Sequence, residues 1–174
     1  MSLTLDFQDN VAVLTHDDGK RNAFSPDAIR DFNAALDEVE AKKAALTWVG
    51  REGCFSAGFD LKVMASGDAD AAAAMVKSGG ELAFRIFTFP HPVVCAVTGH
   101  CLALGSVMLV CADKRIGIEG DYKYGIQGPT HSLHPEFLTL GIPRFEDPVG
   151  EAPDPFQALK RQCQLPIRNP KNHA

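Results

Sequence analysis

Two stretches of this chain place small residues where a main chain can come close to a ligand. The first is Gly53-Cys54-Phe55-Ser56-Ala57-Gly58-Phe59-Asp60-Leu61-Lys62. Ser56, Ala57 and Gly58 clear the approach, and an N–H just past such a turn is free to point at something. The second is Thr98-Gly99-His100-Cys101-Leu102-Ala103-Leu104-Gly105, a glycine-bounded turn opening an apolar helix that runs through Ala112. Other chemistry-bearing residues fit less well. Ser56 and Ser106 lack the Gly-x-Ser-x-Gly elbow of a serine hydrolase. Cys95, Cys101 and Cys111 sit in apolar segments and read as small buried hydrophobes, not metal ligands. Glu136, His131 and His134 can exchange protons, but nothing in the sequence fixes their geometry.

These turns need elements to hold them. Residues 3–7 and 11–15 are short alternating or apolar runs around Gln8-Asp9-Asn10, which predicts an opening hairpin. A polar loop, 17–22, follows. Ser25-Pro26 supplies a helix N-cap and a first-turn proline. Ile29, Phe32, Leu36 and Val39 then mark one helical face. Residues 44–50 predict a buried strand leading into the first turn. Residues 68–89 predict a second helical region, broken or weakened at Gly79-Gly80, with Phe84 and Phe87 in the core. Pro90-His91-Pro92 ends that helix and feeds a strand over 93–97. A further strand is expected at 115–118. Strand, turn and helix repeat, which is an α/β pattern with ligands expected at the strand ends.

After about Ile126 the character changes. Eight of the eleven prolines fall in the final 49 residues. Such a segment struggles to form regular structure, so an extended or poorly ordered tail is expected there.

A length of 174 residues suits one domain with a real core. The net charge of −5 and pI near 5.6 argue against a nucleic-acid partner. Five cysteines without repeating spacing predict reduced thiols. No signal peptide and no membrane-length apolar run is seen, so a soluble, cytoplasmic protein is expected.

Three motifs in order and in register resemble one family. They are Lys20-Arg21-Asn22-Ala23-Phe24, Cys54-Phe55-Ser56-Ala57-Gly58-Phe59-Asp60-Leu61 and the stretch from Val97 to Gly105. Together, over roughly residues 3–125, they resemble the enoyl-CoA hydratase/isomerase, or crotonase, family. The resemblance implies a crotonase-like α/β spiral of repeated β-β-α units, here lacking the usual C-terminal helical region. It implies an acyl-CoA-binding core over 1–125 and a divergent tail over 126–174.

Members of the family bind an acyl-CoA thioester and stabilise an enolate-like intermediate with two backbone N–H groups. Such donors are worth roughly 3–4 kcal/mol each. The matching positions are Phe59 and Leu104, so Phe59 acts as an amide while its ring lines the acyl pocket. Leucine at 104 departs from the usual glycine and is expected to crowd the thioester. Ala57, Asp60, Leu61 and Lys62 match one side of the coenzyme A groove. Lys20, Arg21 and Ala23 match the other side, with the two cations placed to meet phosphates. Each charge, taken singly, fits a solvated loop equally well. No separate cofactor is implied, since coenzyme A enters with the substrate. A homo-oligomer, trimer or hexamer, is the implied assembly.

The family's proton-transfer groups are the weak point of the match. The first glutamate position holds Val107, and a valine transfers no proton. The second should follow Tyr124-Gly125, where Gln127 and Gly128 stand. Glu136, about nine residues late in a Pro-Glu-hydrophobic segment, is the remaining candidate base. This favours isomerase-like chemistry over hydration, with a catalytically inactive acyl-CoA-binding or assembly subunit as the alternative. Two explanations stay open for the change near Ile126: a remodelled family member, or a coding change such as a frameshift.

Overall fold

The chain begins with a hairpin because Asp9-Asn10 interrupts two strand-forming runs, and Asp9 takes a φ of 52° at the turn. Strands β1 (Leu3–Gln8) and β2 (Val11–His16) pair antiparallel. The structure is a computed structural model that describes residues 3–126. Beyond the hairpin the elements are β3 (Ala23–Phe24), α1 (Pro26–Ala41), β4 (Ala45–Val49), β5 (Gly53–Ser56), β6 (Gly58–Phe59), α2 (Leu61–Met64) and α3 (Ala69–Phe87). They continue with β7 (Val93–Val97), β8 (Gly99–Leu102), α4 (Leu104–Cys111), β9 (Lys114–Gly117) and β10 (Tyr124–Gly125).

These elements form a spiral. Each turn of the chain lays one strand into a large sheet, ordered β1-β2-β4-β7-β9, in which every pair after the hairpin is parallel. The next short strand of each turn leaves for a smaller sheet, either β10-β8-β5 or β3-β6, also parallel. A helix then returns the chain. This is the β-β-α repeat the resemblance implies.

Strand alternation builds the core. Ala12, Leu14, Leu46, Trp48, Val93, Cys95 and Val97 face one side of the large sheet and join the main cluster under the helices. Val11, Val13, Val49, Val94, Ala96 and Ile116 face the other side and form a second cluster. Strand β7 is buried along its whole length, as expected for a central parallel strand covered on both faces.

Helix α1 starts as read from the sequence. The Ser25 hydroxyl accepts from the Ala28 N–H at 3.1 Å, and Pro26 opens the first turn. Its buried stripe is Ala28, Ile29, Phe32, Ala35, Leu36 and Val39. Arg85 of α3 fastens α1 by donating to the Asn33 carbonyl at 3.0 Å and to Asp37 at 2.6 Å.

Three expectations need correction. Helix α3 is continuous through Gly79-Gly80. Phe84 and Phe87 are exposed, at 67% and 69%. The inward stripe of α3 is instead Met75, Gly79, Leu82, Ala83 and Ile86. Phe84 stands two residues from both Leu82 and Ile86, about 200° around the helix from each, so it points away from the core. Finally, the two turns singled out for their chemistry contain short strands, β5, β6 and β8, that periodicity over so few residues does not reveal.

The tail expected after Ile126, and with it the missing helical region, lies outside the described residues.

Candidate functional site

The loop over 17–24 is shaped by its own side chains. The Asp18 carboxylate accepts from the N–H groups of Lys20 (2.7 Å), Asn22 (2.9 Å) and Ala23 (3.3 Å). Burial pushes its pKa up, but these bonds, that from Asn22 first, outweigh burial and leave it below the usual carboxylate value. Asn22 sits at a φ of 52°, a left-handed conformation that asparagine tolerates. Its buried side-chain amide donates to the carbonyls of His16 (2.6 Å), Phe55 (3.2 Å) and Cys54 (3.3 Å). The loop is thereby fixed against the first small-residue turn.

Pairing of β3 with β6 completes that junction. Ala23 stands opposite Gly58 and Phe24 opposite Phe59. The Ala57 N–H donates to the Arg21 carbonyl at 2.9 Å, and the Asp60 N–H to the Phe24 carbonyl at 3.1 Å. Asp60 then caps the short helix α2 by accepting from the Lys62 N–H at 2.8 Å. Lys20, Arg21, Ala23, Ala57, Asp60, Leu61 and Lys62 therefore fall on two adjoining segments. Lys20, Arg21, Leu61 and Lys62 are exposed, while Ala23, Ala57 and Asp60 are half-buried.

The second turn meets the first at Gly58. This glycine has a φ of 90°, and a Cβ placed on it would lie 2.6 Å from the Ala103 Cβ and 3.1 Å from the Leu104 nitrogen. Only glycine allows the two backbones to come this close. Leu104 opens α4, so its N–H has no carbonyl one turn back within the helix. Ala103, just before it, holds a φ of 49° with ψ of −123°. A Cβ makes that conformation costly by about 1–3 kcal/mol, and strain of this kind collects where a main chain is held for a purpose.

Side chains close the rear of the junction. A Cβ on Gly79 of α3 would lie 2.6 Å from the Phe59 ring and 2.9 Å from Leu104 Cδ2. Phe59 is half-buried and Leu104 is only 5% exposed. The leucine at 104 is thus lodged against α3.

The two serines are occupied. Ser56 is fully buried, donates to the Asn22 carbonyl at 2.8 Å and accepts from the Gly58 N–H at 3.1 Å. Ser106 donates to the Cys101 carbonyl at 2.7 Å and accepts from the Gly125 N–H at 3.1 Å. Burial pushes the Cys54 thiol up, and it donates to the Arg21 carbonyl at 3.3 Å. None of the three presents an activated nucleophile.

Val107 lies on α4 as expected, half-buried against the main core. Gln127, Gly128, His131, His134 and Glu136 lie outside the described residues. Sequence reasoning passed over Asp18, Asn22 and Ser56 as positioning groups. The Asp-x-x-x-Asn spacing in a polar loop was the available signal, since such side chains bond nearby backbone. Among the described residues, no group of three His, Cys, Asp or Glu is placed to hold a metal ion, and no helix is long and apolar enough to cross a membrane.

A sheet spiral with two touching turns at its strand ends defines a crotonase-type α/β fold. Comparison with known proteins agrees. The model for the enoyl-CoA hydratase/isomerase family matches residues 6–139, and the chain belongs to that family. It is 31% identical over 140 residues to a probable enoyl-CoA hydratase of Bacillus subtilis, covering 78% of this chain and 54% of that protein. A solved enoyl-CoA hydratase/isomerase family protein from Pseudomonas syringae superposes with a TM-score of 0.69 at 43% identity, over 71% of this chain and 54% of that one. A probable enoyl-CoA hydratase from Mycobacterium tuberculosis gives 0.67 at 39%, over 70% and 52%. The chain spans about half the length of these relatives.

Proposed function

We propose that this protein binds an acyl-CoA thioester and stabilises the enolate formed at its carbonyl with the backbone N–H groups of Phe59 and Leu104. The observation that carries the reading is the contact of the two turns at Gly58, within 3.1 Å of the Leu104 nitrogen for a Cβ built there. Charge developing on an oxygen between two such amides is met by donors that need no reorganisation. The N-terminal end of α4 adds its positive dipole. Lys20, Arg21, Ala23, Ala57, Asp60, Leu61 and Lys62 form the two sides of the coenzyme A groove, and no separate cofactor takes part.

Proton transfer decides the reaction. Hydration needs one group for water and one for the α-carbon, and Val107 removes the first. A single base, Glu136, suffices to move a double bond along an enoyl chain. Isomerase-like chemistry therefore fits this sequence better than hydration. Val107 also favours a second reading, a subunit that binds acyl-CoA without turning it over.

Calorimetry with acetyl-CoA and a medium-chain acyl-CoA tests binding, and a folded protein that binds neither at millimolar ligand rejects the proposal. Assays then separate the readings. Glu136→Gln is expected to lower isomerase activity by about 10²- to 10⁴-fold with thioester affinity nearly unchanged. An unchanged rate makes Glu136 a bystander. Robust crotonyl-CoA hydration by the parent chain contradicts the one-base scheme.

A further inference from the structure

A backbone amide used as a donor cannot be aimed by its own side chain. Its direction is set by whatever holds the peptides on either side. For the Phe59 amide one flank is the β3–β6 ladder, with the Asp60 N–H bonded to the Phe24 carbonyl. The other flank is Gly58, which pairs with Ala23 in the same ladder and whose N–H also donates to the hydroxyl of Ser56, at 3.1 Å.

That hydroxyl has a defined sense. Its single proton goes to the Asn22 carbonyl at 2.8 Å, so it faces the Gly58 N–H with a lone pair. Asn22 is itself fixed by three side-chain bonds to carbonyls. Ser56 is fully buried, so no bulk water replaces it. The same residue also touches the second turn. A Cβ on Gly105, the residue after Leu104, would lie 2.8 Å from Ser56 Cβ and 3.0 Å from its Oγ. One small side chain thus stands behind both donor peptides. It bonds one turn and the loop that carries Lys20 and Arg21, and it abuts the other turn.

We infer that Ser56 is the positioning residue of the site, its hydroxyl setting the direction of the Phe59 amide and its Cβ the spacing to Leu104. The inference rests on the acyl-CoA reading above. Serine meets the demands of the position. Alanine keeps the Cβ contact and loses the aim, while a larger side chain collides with Gly105.

The test uses the full-length chain with cinnamoyl-CoA, a conjugated thioester whose absorption moves to the red as its carbonyl is polarised. Free coenzyme A, which has no carbonyl to polarise, is the control ligand. In the parent, bound cinnamoyl-CoA is expected to show the red shift. In Ser56→Ala the shift should fall to roughly half or less and cinnamoyl-CoA should bind roughly tenfold more weakly. Affinity for free coenzyme A should change by less than about twofold, because the groove does not use that amide. Leu36→Ala, a core change in α1, should lower thermal stability yet keep the full shift in the folded protein. That contrast separates aiming from general support. If Ser56→Ala fails to fold, Ser56→Gly, which also removes the hydroxyl and adds no bulk against Gly105, carries the same comparison. A full shift in the substituted protein overturns the inference and leaves the acyl-CoA reading standing. A parent that binds neither ligand overturns that reading, and the inference with it.

Discussion

His16 shows how a single residue can tie stability to pH here without belonging to the site. It ends β2 fully buried, with neither ring nitrogen hydrogen-bonded. Its ring centroid is 5.2 Å from that of Phe32, edge-on, and 5.7 Å from that of Phe24. Burial lowers its pKa from 6.5 to about 4, against the opposing pull of Asp18 and Asp17. The native state therefore takes up this proton less readily than the unfolded chain. Between pH 6.5 and about 4 the unfolded state holds more protons, so stability is complete above that window and declines as pH falls through it. The full shift corresponds to a loss of roughly 3 kcal/mol. Urea midpoints of the parent should drop across this range, while those of His16→Leu should be flatter. Equal slopes in the two proteins would show that other groups govern the acid limb. The sequence reading left His16 between the strand over 11–15 and the polar loop over 17–22, because burial among aromatic rings is a tertiary fact.

At the scale of elements, α3 separates two glycines that look equivalent in the sequence. Gly80 is exposed, and a Cβ there meets nothing within 4 Å. A Cβ on Gly79 would lie 2.6 Å from the Phe59 ring and 2.9 Å from Leu104. Alanine is favoured over glycine in a helix interior by about 1 kcal/mol. Gly80→Ala should therefore stabilise the protein by about that amount. Gly79→Ala gains the same propensity but must displace the ring or the leucine, an overpacking cost of about 1–3 kcal/mol. It should be neutral to destabilising in thermal unfolding and should weaken acyl-CoA binding. Equal stabilisation by both substitutions would mean that α3 does not press on the two turns.

The pair also shows why some of the fold was legible and some was not. The hairpin, α1, β4 and β7 announce themselves through caps and unbroken apolar periods. The interruption read at Gly79-Gly80 followed from local propensity alone, whereas the helix is kept whole by packing against β6 and α4. Strands β5, β6 and β8, of two to four residues, are too short to carry a period. Both turns of the candidate site were still recognisable, because close backbone approach demands small residues at fixed positions. The part of Ser56 was not, since its hydroxyl's bond to the Asn22 carbonyl joins residues 34 positions apart.

For the whole molecule, the apolar surface left on the described residues bears on assembly. Phe84 and Phe87 are spaced i and i+3 on the outer face of α3, at 67% and 69% exposure. Val110 on α4 is 65% exposed, and α4 packs beside α3. Leu61 on α2, which also contacts α3, is 76% exposed. Single exposed apolar residues are ordinary, but two phenylalanines on one face of a helix are less so. Burying apolar area is worth about 25 cal/mol per Å², so covering two rings alone favours contact by a few kcal/mol before the costs of association. We predict that the full chain self-associates through this face at micromolar concentration. Light scattering should report a mass above that of one chain, falling toward it on dilution. Phe84→Ser together with Phe87→Ser should shift that equilibrium toward the single chain without lowering thermal stability, because neither ring is part of the core. A parent that stays a single chain at high concentration rejects the association. A double variant that associates as strongly as the parent moves the interface elsewhere.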